Sequence, residues 1–218
     1  MKERPILFST EMVRAILDGR GTQTRRTRGL SFIEHIPFGT GLYKEPYQKE
    51  DGQWYYQVQT KVDDSQENLL KCPYGQIGDV LWVRETWLSD PRGSVDGKSD
   101  CFYYKADLPD PSTWNGYWKP SIFMPKAACR IRLQITNIRV ERVQNITEAD
   151  AIAEGIEFWY SDLFQETRYK DYMCPISDWR TPISSYRSLW EKINGKGSWE
   201  SSPWVWCISF KRCNENKD

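Results

Sequence analysis

"CRIRLQITNIRVERV" spans residues 129–143 and carries the strongest β signal in the chain. Ile131, Leu133 and Ile135 alternate with Arg130, Arg132 and Gln134, which gives an extended strand one apolar and one polar face. At Thr136-Asn137 the phase slips, and Ile138 and Val140 carry the apolar face onward. Such a slip predicts a bulge or bend, a device that helps a sheet curve and close.

Working outward, "YGQIGDVLWVRETW" (74–87) reads as a turn and a second firm strand. Leu81, Val83, Glu85 and Trp87 share one face, while Val80, Trp82, Arg84 and Thr86 share the other. Both faces are partly apolar, as expected of a central strand in a closed sheet. Glu85 among apolar neighbours is either paired with an arginine for structure or part of a site. Trp204, Trp206, Ile208 and Phe210 alternate along a final strand, and Pro5–Phe8 offers a short first one.

Helical spacing is confined to three places. Ser9 or Thr10 can cap a helix whose stripe is Met12, Val13, Ile16 and Leu17, and Gly19 stops it. Thr147 with Asp150 resembles a capping box, with Ile152 and Ala153 facing inward and Gly155 as the stop. Tyr186, Leu189, Trp190 and Ile193 stripe a third helix that Asn194-Gly195 ends. Between the first helix and the next strand, "ILDGRGTQTRR" (16–26) leads into a strand over Thr22–Arg28 dense in hydroxyls and arginines.

This order predicts an α+β fold: a mixed or antiparallel sheet rolled into a small barrel with a few peripheral helices. A single domain over 1–213 is expected, with polar insertions at about 29–73, 88–117 and 157–183 and a loose tail at 214–218. The first insertion holds a hairpin around Asp51-Gly52, the second a possible strand at Cys101–Lys105, and 156–180 reads as aromatic-rich and irregular.

Lysine plus arginine equals aspartate plus glutamate at 30 each, so any contact with nucleic acid must be local. The 11 Trp and 12 Tyr serve either a core or a stacking surface. The apolar runs are too short for a signal peptide or a membrane span, so a soluble, cytoplasmic protein with no membrane contact is expected. The six cysteines form no CxxC pair and read as buried, reduced thiols. The single His35 leaves little for a zinc site or a serine–histidine triad, and no metal or cofactor is expected.

Five blocks, "PILFSTEMVRAILDGRGTQTRR", "GDVLWVRETW", "WKPSIFMPKAACRI", "ITEADAIAEGI" and "SPWVWCISFKR", resemble the ASCH-domain proteins of phages and prophages. These belong to the PUA-like superfamily of small β-barrels that handle RNA or modified nucleosides. The blocks make up about a third of the chain, span both of its ends and stand in the family's order. The family's run of Gly, any residue, Lys, two residues, Glu, one residue and Arg reads here as Gly19 to Arg26, with Gly21 at the lysine and Thr24 at the glutamate. Relatives with threonine there hydrolyse N4-acetylcytidine with that lysine, that threonine and a later glutamate, which aligns with Glu154. The resemblance therefore implies Thr24 and Glu154 as catalytic residues if the chain is active, but the amine that would activate a hydroxyl is absent.

Three functions follow from these readings. The first is a module that binds single-stranded RNA or a modified nucleotide or nucleoside through a cleft near residues 19–28. Arg20, Arg25, Arg26 and Arg28 then meet phosphates, Thr22 and Thr24 face a base, and Glu85, Glu154 and Lys126 complete the site. The arginines are otherwise a solvated strand edge. The second is an amidohydrolase acting on N4-acetylcytidine-type nucleosides. The third is a module for a host or phage protein, expected if Trp54, Trp114, Trp118 and Trp159 form a patch away from the arginines. Of the two acids, one is expected to pair with Arg20 or Arg26. Glu85 is the structural candidate, and Glu154 is the free ligand contact whose loss spares stability.

Overall fold

The computed structural model describes residues 1–33, 44–61, 64–90, 101–109 and 117–213. His35, Trp114 and the tail 214–218 lie outside the described residues. The chain begins with β1 (Glu3–Leu7), α1 (Thr10–Leu17) and β2 (Gln23–Arg26). β3 (Lys44–Gln48), β4 (Trp54–Lys61) and β5 (Asp64–Leu70) follow, then β6 (Val80–Arg84), β7 (Trp87–Asp90) and β8 (Cys101–Tyr104). β9 (Arg132–Arg142) precedes α2 (Glu148–Ala153) and the strands β10 (Phe158–Ser161), β11 (Glu166–Lys170) and β12 (Asp178–Trp179). α3 (Pro182–Asn194) and β13 (Trp204–Arg212) close the series.

The result is an α+β structure dominated by strands. Its central sheet runs β1-β6-β9-β13-β2, with β1 parallel to β6 and the other pairs antiparallel. The expected slip in β9 is a register shift against β13: Ser209 faces Asn137 while Phe210 faces Ile135, so Thr136 is the extra residue. The sheet stays open, with β1 and β2 as its edges. A side chain links these edges instead of a ladder, because the Arg26 guanidinium donates to the Leu7 carbonyl at 2.7 Å and lies over the Phe8 ring.

β13 is buried on both faces and separates two cores. Trp204, Trp206, Ile208 and Phe210 pack with Ile6, Val13, Leu81 and Leu133 on one side. Val205 packs with Ala151, Ile156, Tyr186 and Leu189 on the other. Each such side chain contributes about 1.5–3 kcal/mol by leaving water, which outweighs the cost of ordering the strand between them. β6 obeys its alternation: Leu81, Val83, Glu85 and Trp87 are all buried.

Local chemistry sets the helix ends. The Ser9 hydroxyl accepts the Met12 N–H in α1, and Gly19 leaves the helix at φ +76°. Thr147 caps α2 by accepting the Asp150 N–H, and Thr181 caps α3 ahead of Pro182.

Several expectations need correction. In α2 it is Ala151 that faces inward, while Ile152 is exposed, because a six-residue helix is too short for its phase to be fixed by pattern. Ile193 in α3 is also exposed. Residues 156–180 are not irregular but form the three-stranded sheet β10-β11-β12. The expected hairpin around Gly52 extends into a third strand, β5. Of the six cysteines, all free, only Cys207 is buried; the rest are half-buried. Among the described residues no helix is long and apolar enough to cross a membrane.

Candidate functional site

Only five residues separate the end of α1 from the start of β2, and this tight link decides what each side chain of β2 meets. The N–H groups of Arg20 and Gly21 both reach the Ala15 carbonyl at 2.9 Å. The Thr22 N–H then donates to the Ala153 carbonyl at 2.8 Å, which ties the start of β2 to the end of α2. Along β2 the pleat sends Gln23 and Arg25 to one face and Thr24 and Arg26 to the other.

The Gln23 and Arg25 face is a closed charge network under α2. The Arg25 side chain is fully buried and meets Glu141 at 2.5 Å, Asp150 at 3.2 Å and Glu154 at 2.8 Å. Arg139, opposite Arg25 across Cys207, meets Glu141 at 3.0 Å and Asp150 at 2.8 Å. Gln23 donates to Asp150 and accepts from Arg139. Burial works against the Arg25 charge, but Glu154 and its other neighbours outweigh it and hold the pKa above the usual arginine value. The Asp150 carboxyl is likewise held down at about 2, burial being overcome by Arg139 and Arg25.

A cavity of about 180 Å³ lies at the open edge of the sheet, where both faces of β2 reach it. Thr24, Arg25, Arg26 and Arg28 from the β2 segment line it, with Tyr74 on one side and Tyr186 and Trp190 from α3, on the Arg25 side, on the other. Glu154 closes one end. Three buried polar atoms on this lining meet no partner: Thr24 Oγ1, Arg26 Nε and Trp190 Nε1. Glu154 is 4% exposed, and burial pushes its carboxyl up against the pull of Arg25. Burial also raises the Tyr74 and Tyr186 phenols, so both rings stay neutral at physiological pH. Arg28 is exposed at the mouth and makes no ion pair among the described residues.

The residues expected from sequence separate into three groups. Thr24, Arg26 and Glu154 come together around the cavity, joined by Arg25 and Arg28. Arg20 and Thr22 stand beside it in structural roles. Arg20 donates to the Gly155 carbonyl at 2.6 Å and to Asp18 at 2.8 Å, and Thr22 is exposed with its backbone bonded to Ala153 and Phe210. Glu85 and Lys126 do not line the cavity. Lys126 pairs with Glu3.

Glu85 is paired, as a buried acid must be, but its partner is Arg130 and not Arg20 or Arg26. Both guanidinium contacts are 2.9 Å, and Arg130 also holds Asp107 and lies over the Tyr104 ring. Glu154 was expected to be the free acid, yet Arg25 holds it. Arg25 was expected to meet phosphates, yet it has no exposed surface. Strand parity carried the needed signal: Arg25 is an odd position in a strand whose even positions are Thr24 and Arg26. Trp190, Tyr186 and Tyr74 were not anticipated, since tertiary packing alone brings α3 and the residue-74 turn to β2.

Gly21 stands at the lysine position of the resemblance, where a side chain would crowd the end of α1. A Cβ there would lie 3.2 Å from the Ala15 carbonyl carbon and 3.3 Å from its Cβ. Gly155, at φ +87°, fills the other side, with its own Cβ direction pointing at Ala15 and at the Gly21 backbone. Of the four tryptophans, Trp54 donates to the Ile138 carbonyl beside the central sheet, Trp118 is half-buried and Trp159 is exposed on β10, while Trp114 lies outside the described residues. Among the described residues no cluster of His, Cys, Asp or Glu side chains suits a metal ion.

No family model matches the chain, and no curated protein or solved structure is significantly similar to it.

Proposed function

We propose that the chain is a PUA-like module of the phage ASCH kind whose edge cavity takes one base of single-stranded RNA or of a modified nucleotide or nucleoside. The observation that carries this reading is the convergence of Thr24 Oγ1, Arg26 Nε and Trp190 Nε1, all buried and unpartnered, on one small cavity beside a carboxylate. Buried polar groups without partners cost about 1–3 kcal/mol each, so three on one lining are costly unless a ligand completes them.

The volume is below the roughly 300–1,000 Å³ of pockets that enclose drug-sized ligands and suits a single planar base. Trp190 and Arg26 donate to ring acceptors, while Thr24 and Glu154 accept from an exocyclic amino group. Tyr74 and Tyr186 supply aromatic walls, and Arg28 attracts phosphate at the mouth. The host cytoplasm is the compartment proposed with this reading.

Labelled single-stranded RNA, duplex DNA and free nucleosides, titrated at moderate salt, test the proposal. Binding of single strands or nucleosides that weakens in Arg26→Ala/Arg28→Ala supports it. No binding to any of them, or identical binding by that variant, overturns it.

Hydrolysis of an acylated cytosine has less to stand on, because Thr24 Oγ1 meets no base and the position that would carry the activating amine is a glycine packed against Ala15. Loss of acetyl from N4-acetylcytidine in the presence of the unaltered protein would reinstate it. The third reading, a host or phage protein partner, draws on the exposed Phe158, Trp159, Tyr160 and Phe164 around β10. Replacing Phe158 and Tyr160 with serine leaves RNA binding unchanged if that sheet serves a protein partner, and reduces it if the rings stack on bases.

A further inference from the structure

A second, larger cavity of about 540 Å³ lies between the β3-β4-β5 sheet and the central sheet. The segment after β5 separates it from the edge cavity: Cys72 and Gly75 line the large one, Tyr74 the small one. The rung that pairs Trp206 with Arg26 is divided in the same way, Trp206 lining the large cavity and Arg26 the small one.

Charge and hydrogen bonding in the large cavity are unbalanced. Lys2, Arg4 and Lys71 line it and make no ion pair among the described residues. Its two carboxylates are already engaged. Asp79 accepts the Lys2 backbone N–H at 2.7 Å and the Gln76 N–H at 3.3 Å. Asp51 accepts the Gln53 N–H at 2.9 Å and the Tyr55 hydroxyl at 3.0 Å. The Cys72 thiol, pushed up to about 11 by burial, stays neutral and adds no opposing charge.

Two buried donors on the lining meet no acceptor: Arg4 Nε and Trp206 Nε1, the latter on a side chain only 1% exposed. Gly75 keeps the floor open, since a Cβ there would lie 2.9 Å from the Asp79 carboxylate and 3.4 Å from Arg4 Nε. Trp54 supplies a flat wall whose indole is fixed by its bond to the Ile138 carbonyl at 3.3 Å.

We infer that this cavity is a binding site, separate from the edge cavity, for a small aromatic anion: a flat ring with a hydrogen-bond acceptor joined to a phosphate or carboxylate. The ring lies against Trp54 and accepts from Trp206 Nε1. The anion sits among Arg4, Lys71 and Lys2, where charge-assisted bonds are strongest, on the side of these cations away from Asp79, whose carboxyl is held down by the Lys2 backbone N–H and by Arg4. The volume falls within the range of small-molecule sites that combine apolar walls with a few fixed polar groups.

The two indole N–H groups give a test that keeps the two cavities apart. Trp206 reports the large cavity and Trp190 the small one, and Trp→Phe variants assign their resonances in protein labelled with ¹⁵N at tryptophan. The full chain is titrated with cytidine and adenosine monophosphates, the matching nucleosides, inorganic phosphate and indole-3-acetate. The monophosphates or the aromatic carboxylate are expected to shift the Trp206 indole resonance, and whichever is stronger identifies the anion. Nucleosides and phosphate alone shift it only at higher concentration. In Arg4→Gln/Lys71→Gln the half-saturating concentration rises about tenfold or more, the equivalent of about 1.4 kcal/mol. Lys71→Gln alone, a change at an exposed residue, moves it in the same direction without risk to the fold. A Trp206 resonance that none of the probes moves, or that moves equally in wild type and the double variant, overturns the inference. The Trp190 resonance is read separately, so failure here leaves the edge-cavity reading to its own outcome.

Discussion

Around β2, Arg25, Arg139, Glu141 and Asp150 find partners at 3.2 Å or less, whereas Thr24 Oγ1, Arg26 Nε and Trp190 Nε1 find none. Both sets are polar, both are buried or nearly so, and the four residues of β2 contribute to each. A buried charge with all its bonds made fixes which surfaces meet, here α2 against the sheet. A buried donor with no bond made adds nothing to that and is costly to keep. The contrast separates polar groups that the fold satisfies from polar groups that it leaves without a bond.

The strongest way to break this contrast is to remove its hub. Arg25→Met leaves the buried Glu154 and the half-buried Glu141 and Asp150 without their shared cation, and we expect a loss of about 3–5 kcal/mol in denaturant unfolding. A loss under about 1 kcal/mol would mean that the network contributes nothing to the fold. Acid unfolding tests the same side more gently. Asp150 is held at about 2 against an ordinary value of 3.8, so its contribution is complete above pH 4 and disappears as the pH falls through 2. That contribution is about 2 kcal/mol. Asp150→Asn should therefore lower stability at neutral pH and flatten the acid transition in a pH series of thermal melts.

The unsatisfied side should respond in the opposite sense. Thr24→Val removes an unpartnered hydroxyl and keeps the shape, so stability should hold or rise by up to about 1 kcal/mol while nucleoside or RNA affinity falls. A clear loss of stability would show that the hydroxyl has a partner within the fold. Smallest of all, Arg28→Gln should change stability by less than about 0.5 kcal/mol. It should also reduce the salt dependence of RNA binding by about one unit of slope.

How legible the molecule was in its sequence differs in the same way between local and distant features. The alternation of β6, the slip at Thr136 and the caps at Ser9 and Thr147 were readable because each depends on residues a few positions apart. The partners of the acids were not. Glu85 finds Arg130 and Glu154 finds Arg25 because strand order brings them together, and charge type alone does not choose among 30 cations. The strands of 156–180 were missed because segments of two to five residues are too short to show a period. Within the candidate site, Thr24, Arg26 and Glu154 were anticipated, whereas the α3 wall with Tyr186 and Trp190 depends on how a helix packs onto a sheet edge. That packing leaves no mark on the sequence near residue 24.

The contact of Gly21 with Gly155 and Ala15 also constrains how this chain can change over generations. A side chain at either glycine would press into backbone or into Ala15, so the first step toward an amine at position 21 is penalised before any benefit exists. Residues 15, 21 and 155 pack as one unit although they are spread over most of the chain. A larger side chain at any one of them therefore calls for a compensating change at another.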